Sequence, residues 1–190
     1  MDIYLHIKVL FSMILGLGVA HLLRGVSRIV QHPKKFRVYW IHLLWTLFLF
    51  LYLIHFWWWE FALSRITEWT FPLYFFLAIY ATLLYLICSL FYPEEIDEYD
   101  GFKNYFYYRR NWLFGFLAAL FALDFIDTFI KGPAYRAQFG PMANFRDGLF
   151  IVLCLLAIKI SNRRFQAALA CFAVLFEIFY ILKSSLTAPG

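Results

Sequence analysis

The sequence predicts an all-α integral membrane protein that crosses the bilayer about six times within one helical bundle. Of its 190 residues, 64% are hydrophobic and only 15% are charged, whereas a soluble domain carries about 25% charged residues. A soluble chain of this length could bury only about 70% of its surface, which leaves too little core for so many apolar residues. Runs of about 20 apolar residues recur along the chain, as is typical of transmembrane helices.

Six segments are predicted to span the membrane: Ile3–Leu23, Tyr39–Trp59, Phe71–Tyr92, Trp112–Ile130, Pro141–Ile160 and Phe165–Leu182. No linker between them is long enough to separate domains, so residues 1–190 are predicted to form a single transmembrane domain. The start of the chain lacks a basic n-region, which predicts that the first span is retained. Two groups of three spans flank a long charged loop, and this order suggests an inverted 3+3 arrangement.

Lysine and arginine residues predict the orientation of the spans. The tract between the first two spans has five basic residues and no acidic one: Arg24, Arg28, Lys34, Lys35 and Arg37. Two further connections on the same side are also basic, and this excess predicts a cytoplasmic location. Both termini are then outside the cytoplasm. The membrane itself is predicted to be a bacterial-type plasma (inner) membrane. The first tract is also a candidate site for anionic lipid headgroups. Because the basic residues are interspersed with apolar spans, the net charge of +5 does not indicate a nucleic-acid partner.

Ionisable residues within the spans are the candidate functional residues, since each costs about 3 kcal/mol at the centre of a membrane helix. Asp124 and Asp127 share one helical face with Thr128 and Lys131, and Glu177 is near the middle of the last span. We expect these carboxylates to form a polar cluster that opens outward, with Glu177 at its floor. The neighbours expected around this cluster are Lys8, His55, Glu60 and Arg146. The alternative is structural: the charges would clamp helices together or reach the headgroup region.

Four histidines raise the alternative of haem. Two spans each carry an inner and an outer histidine, His6 with His21 and His42 with His55, which resembles membrane b-type cytochromes. His6 and His21 come within about 60° of each other around their helix, but His42 and His55 are displaced by about 140°. The sequence therefore predicts no cofactor, with haem b as an alternative and these histidines as its ligands.

The leading hypothesis is a small membrane channel or transporter for protons or small ions, which works as an oligomer. The proposed pathway residues are Asp124, Asp127, Glu177, His55 and Lys8. One alternative is an accessory or assembly subunit that clasps a membrane-protein partner. The other is a haem-binding electron carrier. No phosphate-binding loop, hydrolase elbow or HExxH motif is present, so the sequence favours a non-enzymatic function without deciding it.

Overall fold

The computed structural model describes residues 3–66 and 68–187, and this part of the chain contains six long helices and no strand. The helices are α1 (Ile3–Gln31), α2 (Trp40–Trp59), α3 (Phe71–Phe91), α4 (Phe102–Ile130), α5 (Pro133–Lys159) and α6 (Arg163–Thr187). Two short 3-10 helices, Glu60–Arg65 and Asp97–Tyr99, lie in the connections. Each long helix includes a segment long and apolar enough to cross a membrane. The predicted all-α, six-helix architecture is therefore confirmed.

The outer surface of the bundle is apolar, as lipid requires. Large apolar side chains such as Leu17 and Leu175 are 60% and 68% exposed, respectively. Several ionisable side chains are instead buried inside the bundle, among them Asp147 and Glu177, neither of which has any exposed surface. This distribution suits a protein whose solvent is hydrocarbon, because a charge costs less free energy inside the bundle than against lipid.

Four helices extend beyond the predicted spans: α1, α4 and α5 by eight residues or more at one end, and α6 by a few residues at each end. The two longest are α1 and α4. Helix α1 continues through Arg24 and Arg28 to Gln31, and α4 begins at Phe102 rather than Trp112. Each has 29 residues, a length of about 43 Å, whereas the hydrocarbon core is about 30 Å thick. Arg24 and Arg28 are therefore helical, not loop residues, in the turns that extend past the core.

Helix pairing brings the buried polar residues together. Helix α4 packs most extensively on α5, α2 packs on α6, and α1 packs on α3. Only Lys131 and Gly132 separate α4 from α5, and Gly132 has a positive φ of 95° that a side chain would disfavour. Because α1 pairs with α3 whereas α4 pairs with α5, the two halves differ in their pairing, and the inverted 3+3 relation stays a prediction.

Candidate functional site

A group of buried ionisable side chains occupies the end of the bundle where α2 and α4 finish and α5 begins. We call this group the carboxylate cluster. It comprises Glu60, Asp124, Asp127, Asp147 and Glu177, together with Lys131, Arg146 and His55. Each of the five acidic residues is at most 9% exposed, and the side chain of Lys131 is 4% exposed. Side chains this deeply buried interact with one another more strongly than they would in water.

Arg146 of α5 joins two of the carboxylates. Its Nε and Nη2 atoms donate to Asp147 Oδ1 at 2.9 and 2.8 Å, and Nη2 also donates to Asp124 Oδ2. The guanidinium carbon lies 4.6 Å from the centre of the Tyr180 ring, a cation–π distance. One permanent cation is thus shared between two acidic side chains.

Two tyrosines extend this network toward α3. The hydroxyl of Tyr52 donates to Asp124 Oδ2 at 3.1 Å, so the hydroxyl of Tyr80, 3.0 Å away, donates to the Tyr52 oxygen. Both tyrosines are almost fully buried. Asp124 therefore accepts hydrogen bonds from α2 and α5, and it is the most highly connected carboxylate of the cluster.

Lys131 is shared between two further carboxylates. Its Nζ atom lies 2.6 Å from Asp127 Oδ2 and 3.1 Å from Glu60 Oε1. Asp127 and Lys131, which the sequence predicted to share one helical face, thus form an ion pair between positions four residues apart. Burial raises the pKa of Glu60 from its usual 4.5 to about 7, and the charge of Lys131 opposes this rise while that of Asp127 adds to it. Glu60 therefore changes charge near neutral pH.

The third part of the cluster is a chain of three side chains. His55 Nδ1 lies 3.1 Å from Glu177 Oε1, and the indole nitrogen of Trp59 donates to His55 Nε2 at 2.6 Å. His55 is also in edge contact with the Tyr180 ring, at 5.3 Å between ring centres. Through His55, the fully buried Glu177 is thereby connected to Trp59, the last residue of α2.

The cluster contains more acidic groups than permanent cations. Five carboxyl groups face two cations, and four carboxyl oxygens have no hydrogen-bond partner among the described residues: Glu60 Oε2, Asp127 Oδ1, Asp147 Oδ2 and Glu177 Oε2. A cavity of about 30 Å³ lies beside the cluster, bordered by Trp59, Asp124 and Lys131. This volume is large enough for about two water molecules. Of the five carboxyl groups, that of Asp124 borders the cavity.

The described residues include no group of three or more histidine, cysteine or acidic side chains arranged to hold a metal ion. The four oxygens without partners belong to four different residues. A hard cation such as Ca²⁺ needs six to eight converging oxygens, whereas a proton needs one lone pair.

Most of the predicted pathway residues meet in the cluster, but Lys8 does not. Asp124, Asp127, Glu177 and His55 come together from α2, α4 and α6. Lys8 is exposed on α1, where its ammonium lies 6.0 Å from the centre of the Tyr4 ring. The expectation that Lys8 neighbours the carboxylates was therefore wrong, because depth along a helix does not determine which face a residue occupies.

Three members of the site were not predicted from the sequence: Asp147, Tyr52 and Trp59. Asp147 directly follows Arg146, and this adjacent pair of opposite charges at the start of a span was its only sequence signal. Tyr52 and Trp59 are two among 44 aromatic residues, 7 Trp, 13 Tyr and 24 Phe. Trp59 stands four residues after His55, and this helical spacing was its one sequence signal. Only their contacts with Asp124 and His55 reveal their role.

The predicted headgroup residues are all exposed at the opposite end of the bundle: Arg24, Arg28, Lys34, Lys35 and Arg37. Three of them contact the acidic connection before α4. Lys35 lies 3.6 Å from Asp97, Arg37 lies 3.0 Å from Asp100, and Arg28 donates to the carbonyl of Glu94 at 3.4 Å. Exposed ion pairs contribute little free energy, so these contacts leave the tract able to bind lipid phosphates, and headgroup binding stays a prediction.

The histidines are not arranged as haem ligands. His6 is exposed on α1, and Nε2 of His21 lies 3.1 Å from the carbonyl oxygen of Tyr92. Both ring nitrogens of His55 are engaged by Glu177 and Trp59. His42 is fully buried among aromatic rings, with the Phe102 ring centre only 4.9 Å away. A haem ligand needs a nitrogen that faces an open cavity, so these residues do not fit haem b.

Comparisons of the chain with protein-family models, with curated proteins and with solved structures found no match.

Proposed function

We propose that this protein is a membrane transporter for protons or small cations, with the carboxylate cluster as its binding site. The observation that carries the proposal is that, among the described side chains, five buried carboxyl groups lie with only two basic side chains, Lys131 and Arg146. An unpaired carboxylate in a low-dielectric interior must bind a proton or a cation, because the bare charge is too costly. A site that gains and loses such a ligand is what transport requires.

The packing below the cluster favours a carrier over an open channel. Phe150 lies between Phe121 and Phe48, with ring centres 4.7 and 5.7 Å away, respectively, and none of the three is more than 1% exposed. Stacked apolar rings at this depth oppose a continuous file of water through this part of the bundle. We therefore infer that the cluster loads from one side of the membrane and that helix movement opens it to the other, as in alternating access.

The membrane location and assembly belong to the same proposal. The basic connections favour a bacterial-type inner membrane with both termini outside the cytoplasm. Gly16 and Ala20, four residues apart on the exposed face of α1, provide a small-residue surface on which a second copy could pack. The native mass of the protein in mild detergent tests this homo-oligomer. A larger stoichiometric partner would instead favour the accessory-subunit alternative.

Proton flux into liposomes tests the proposal directly. The purified protein is reconstituted with a pH-sensitive dye inside the vesicles, and flux is started by a pH step with valinomycin and potassium to balance charge. Glu177→Gln keeps the size of the side chain but cannot ionise, so we expect it to lose most of the flux. Glu98→Gln is the matched control, since Glu98 is exposed in the connection before α4. Equal flux in the native protein and in Glu177→Gln would refute the role of Glu177.

A further inference from the structure

The hydrogen bonds of His55 define which of its nitrogens carries a proton. An indole N–H can only donate, so the 2.6 Å contact from Trp59 requires a lone pair on His55 Nε2. The single proton of the neutral ring is then on Nδ1, which donates to Glu177 Oε1 at 3.1 Å. The structure thus contains a neutral His55 in one defined tautomer, held between an indole donor and a carboxyl acceptor.

The geometry points to His55 Nε2 as the atom that accepts the transported proton, with Trp59 as the positioning residue that must release this nitrogen first. The inference rests on the proposed function and identifies its substrate as a proton. In the loading step an O–H bond of a hydronium ion in the cavity breaks, an N–H bond forms at Nε2, a neutral water molecule is left, and the indole hydrogen bond is lost. No electrons are transferred. The product is an imidazolium paired with Glu177.

Both partners of this step border the cavity, so water can reach them. Trp59 and His55 line the same 30 Å³ space as Asp124 and Lys131. Movement of the Trp59 indole away from His55 would enlarge this space on the side that faces the end of the bundle. Proton uptake is therefore linked to a side-chain movement at the mouth of the site.

Ionisable groups lie around this region on α2, α3, α4, α5, α6 and the connection after α2. Those of the described residues are Tyr52, Glu60, Tyr80, Asp124, Asp127, Lys131, Arg146, Asp147, Glu177 and Tyr180. The Trp59 hydrogen bond needs the lone pair of Nε2, so it is made to the neutral ring and must break before that nitrogen accepts a proton.

The tautomer can be measured without any transport assay. In protein with ¹⁵N-labelled histidine, the two ring nitrogens of His55 have separate NMR shifts, assigned by loss of signal in His55→Asn. We expect a protonated Nδ1 and an unprotonated Nε2 at neutral pH, and protonation of Nε2 on acidification. A protonated Nε2 at neutral pH would overturn the inference.

Trp59→Phe removes the indole donor and keeps an aromatic ring. A hydrogen bond of ordinary net strength changes an equilibrium about fivefold, so we expect the half-maximal pH of flux to rise by about 0.7 unit. The matched control is Trp58→Phe, the same change at the adjacent, 67% exposed position, and we expect no shift. A Trp59→Phe profile that coincides with that of the control would contradict the proposed role of Trp59.

His55→Asn separates this inference from the proposed function. The asparagine amide can still donate to Glu177 from the place of Nδ1, but it has no basic nitrogen, so we expect loss of flux in a folded protein. If His55→Asn transports normally while Glu177→Gln does not, the carboxyl group itself carries the proton and the inference fails while the proposed function stands. If the native protein carries no flux, the proposed function fails and the NMR measurement still decides where the proton binds.

Discussion

Replacing Arg146 should destabilise the protein more than almost any other single change in the cluster. Arg146→Met keeps most of the volume and removes the charge, which leaves Asp124 and Asp147 without their shared cation. Three hydrogen bonds to charged groups at about 1.5–3 kcal/mol each give an upper bound of about 5–9 kcal/mol. Breaking a buried ion pair by removing one partner typically costs about 3–5 kcal/mol. We expect the free energy of unfolding to fall by about 3–5 kcal/mol, because Tyr52 still donates a hydrogen bond to Asp124.

The assay is reversible unfolding in mixed micelles with increasing SDS, followed by tryptophan fluorescence. The matched control is Arg164→Met, since Arg164 is exposed at the start of α6, and we expect a change within about 0.5 kcal/mol. If stranded charge causes the loss, Arg146→Met/Asp147→Asn should recover about 1 kcal/mol or more relative to the single variant. A single variant within about 1 kcal/mol of the native protein, or a double variant no more stable than the single one, would refute this reasoning.

Three other predictions concern stability in the same assay. The folded protein keeps the Glu60 proton up to about pH 7, whereas the unfolded chain releases it near pH 4.5. The stability gained from this retained proton is therefore complete below pH 4.5 and is lost as the pH rises to about 7. The loss in the free energy of unfolding is up to about 3 kcal/mol. Glu60→Gln should flatten this pH dependence. Gly25→Ala places a Cβ in steric conflict with the Tyr92 ring and should cost about 1–3 kcal/mol. Gly16→Ala meets no atom within 4 Å and should be neutral or slightly stabilising. Gln166→Leu removes the side-chain donor to the carbonyls of Ala157 and Ile160, at 3.1 and 2.7 Å, and should cost about 1–3 kcal/mol because the carbonyl of the buried Ala157 loses this bond. An unchanged midpoint in Gly25→Ala or in Gln166→Leu would contradict the corresponding contact, and a pH dependence that Glu60→Gln leaves unchanged would contradict the role of Glu60.

Local periodicity along α4 predicted one face of the site correctly. Asp124, Asp127 and Lys131 lie on one side of any α-helix at these spacings, whatever the helix packs against. The structure confirms that this side is buried and that Asp127 pairs with Lys131 at 2.6 Å. This part of the site depends only on helical geometry, so the sequence contained the information needed.

The errors arose where the answer depended on rotation about a helix axis or on helix ends. Lys8 has the expected depth in α1 but is on its exposed face. The helix boundaries at Gln31 and Phe102 were missed because polar residues such as Arg24 continue a helix as readily as they end one in the headgroup region. Hydropathy reports where a segment meets water and not where its backbone hydrogen bonds stop.

By itself the sequence determined that the chain forms membrane-spanning helices and that costly charges are buried in them. Both follow from local physics, since each helix satisfies its own backbone hydrogen bonds in lipid and each buried charge costs free energy wherever it lies. Tertiary structure alone decided that α2 packs on α6 and α4 on α5, and so which charges meet. Lipid solvates every apolar helix face about equally, so hydrophobicity does not select helix partners. Only specific packing placed Glu177 beside His55 and Asp124 beside Arg146.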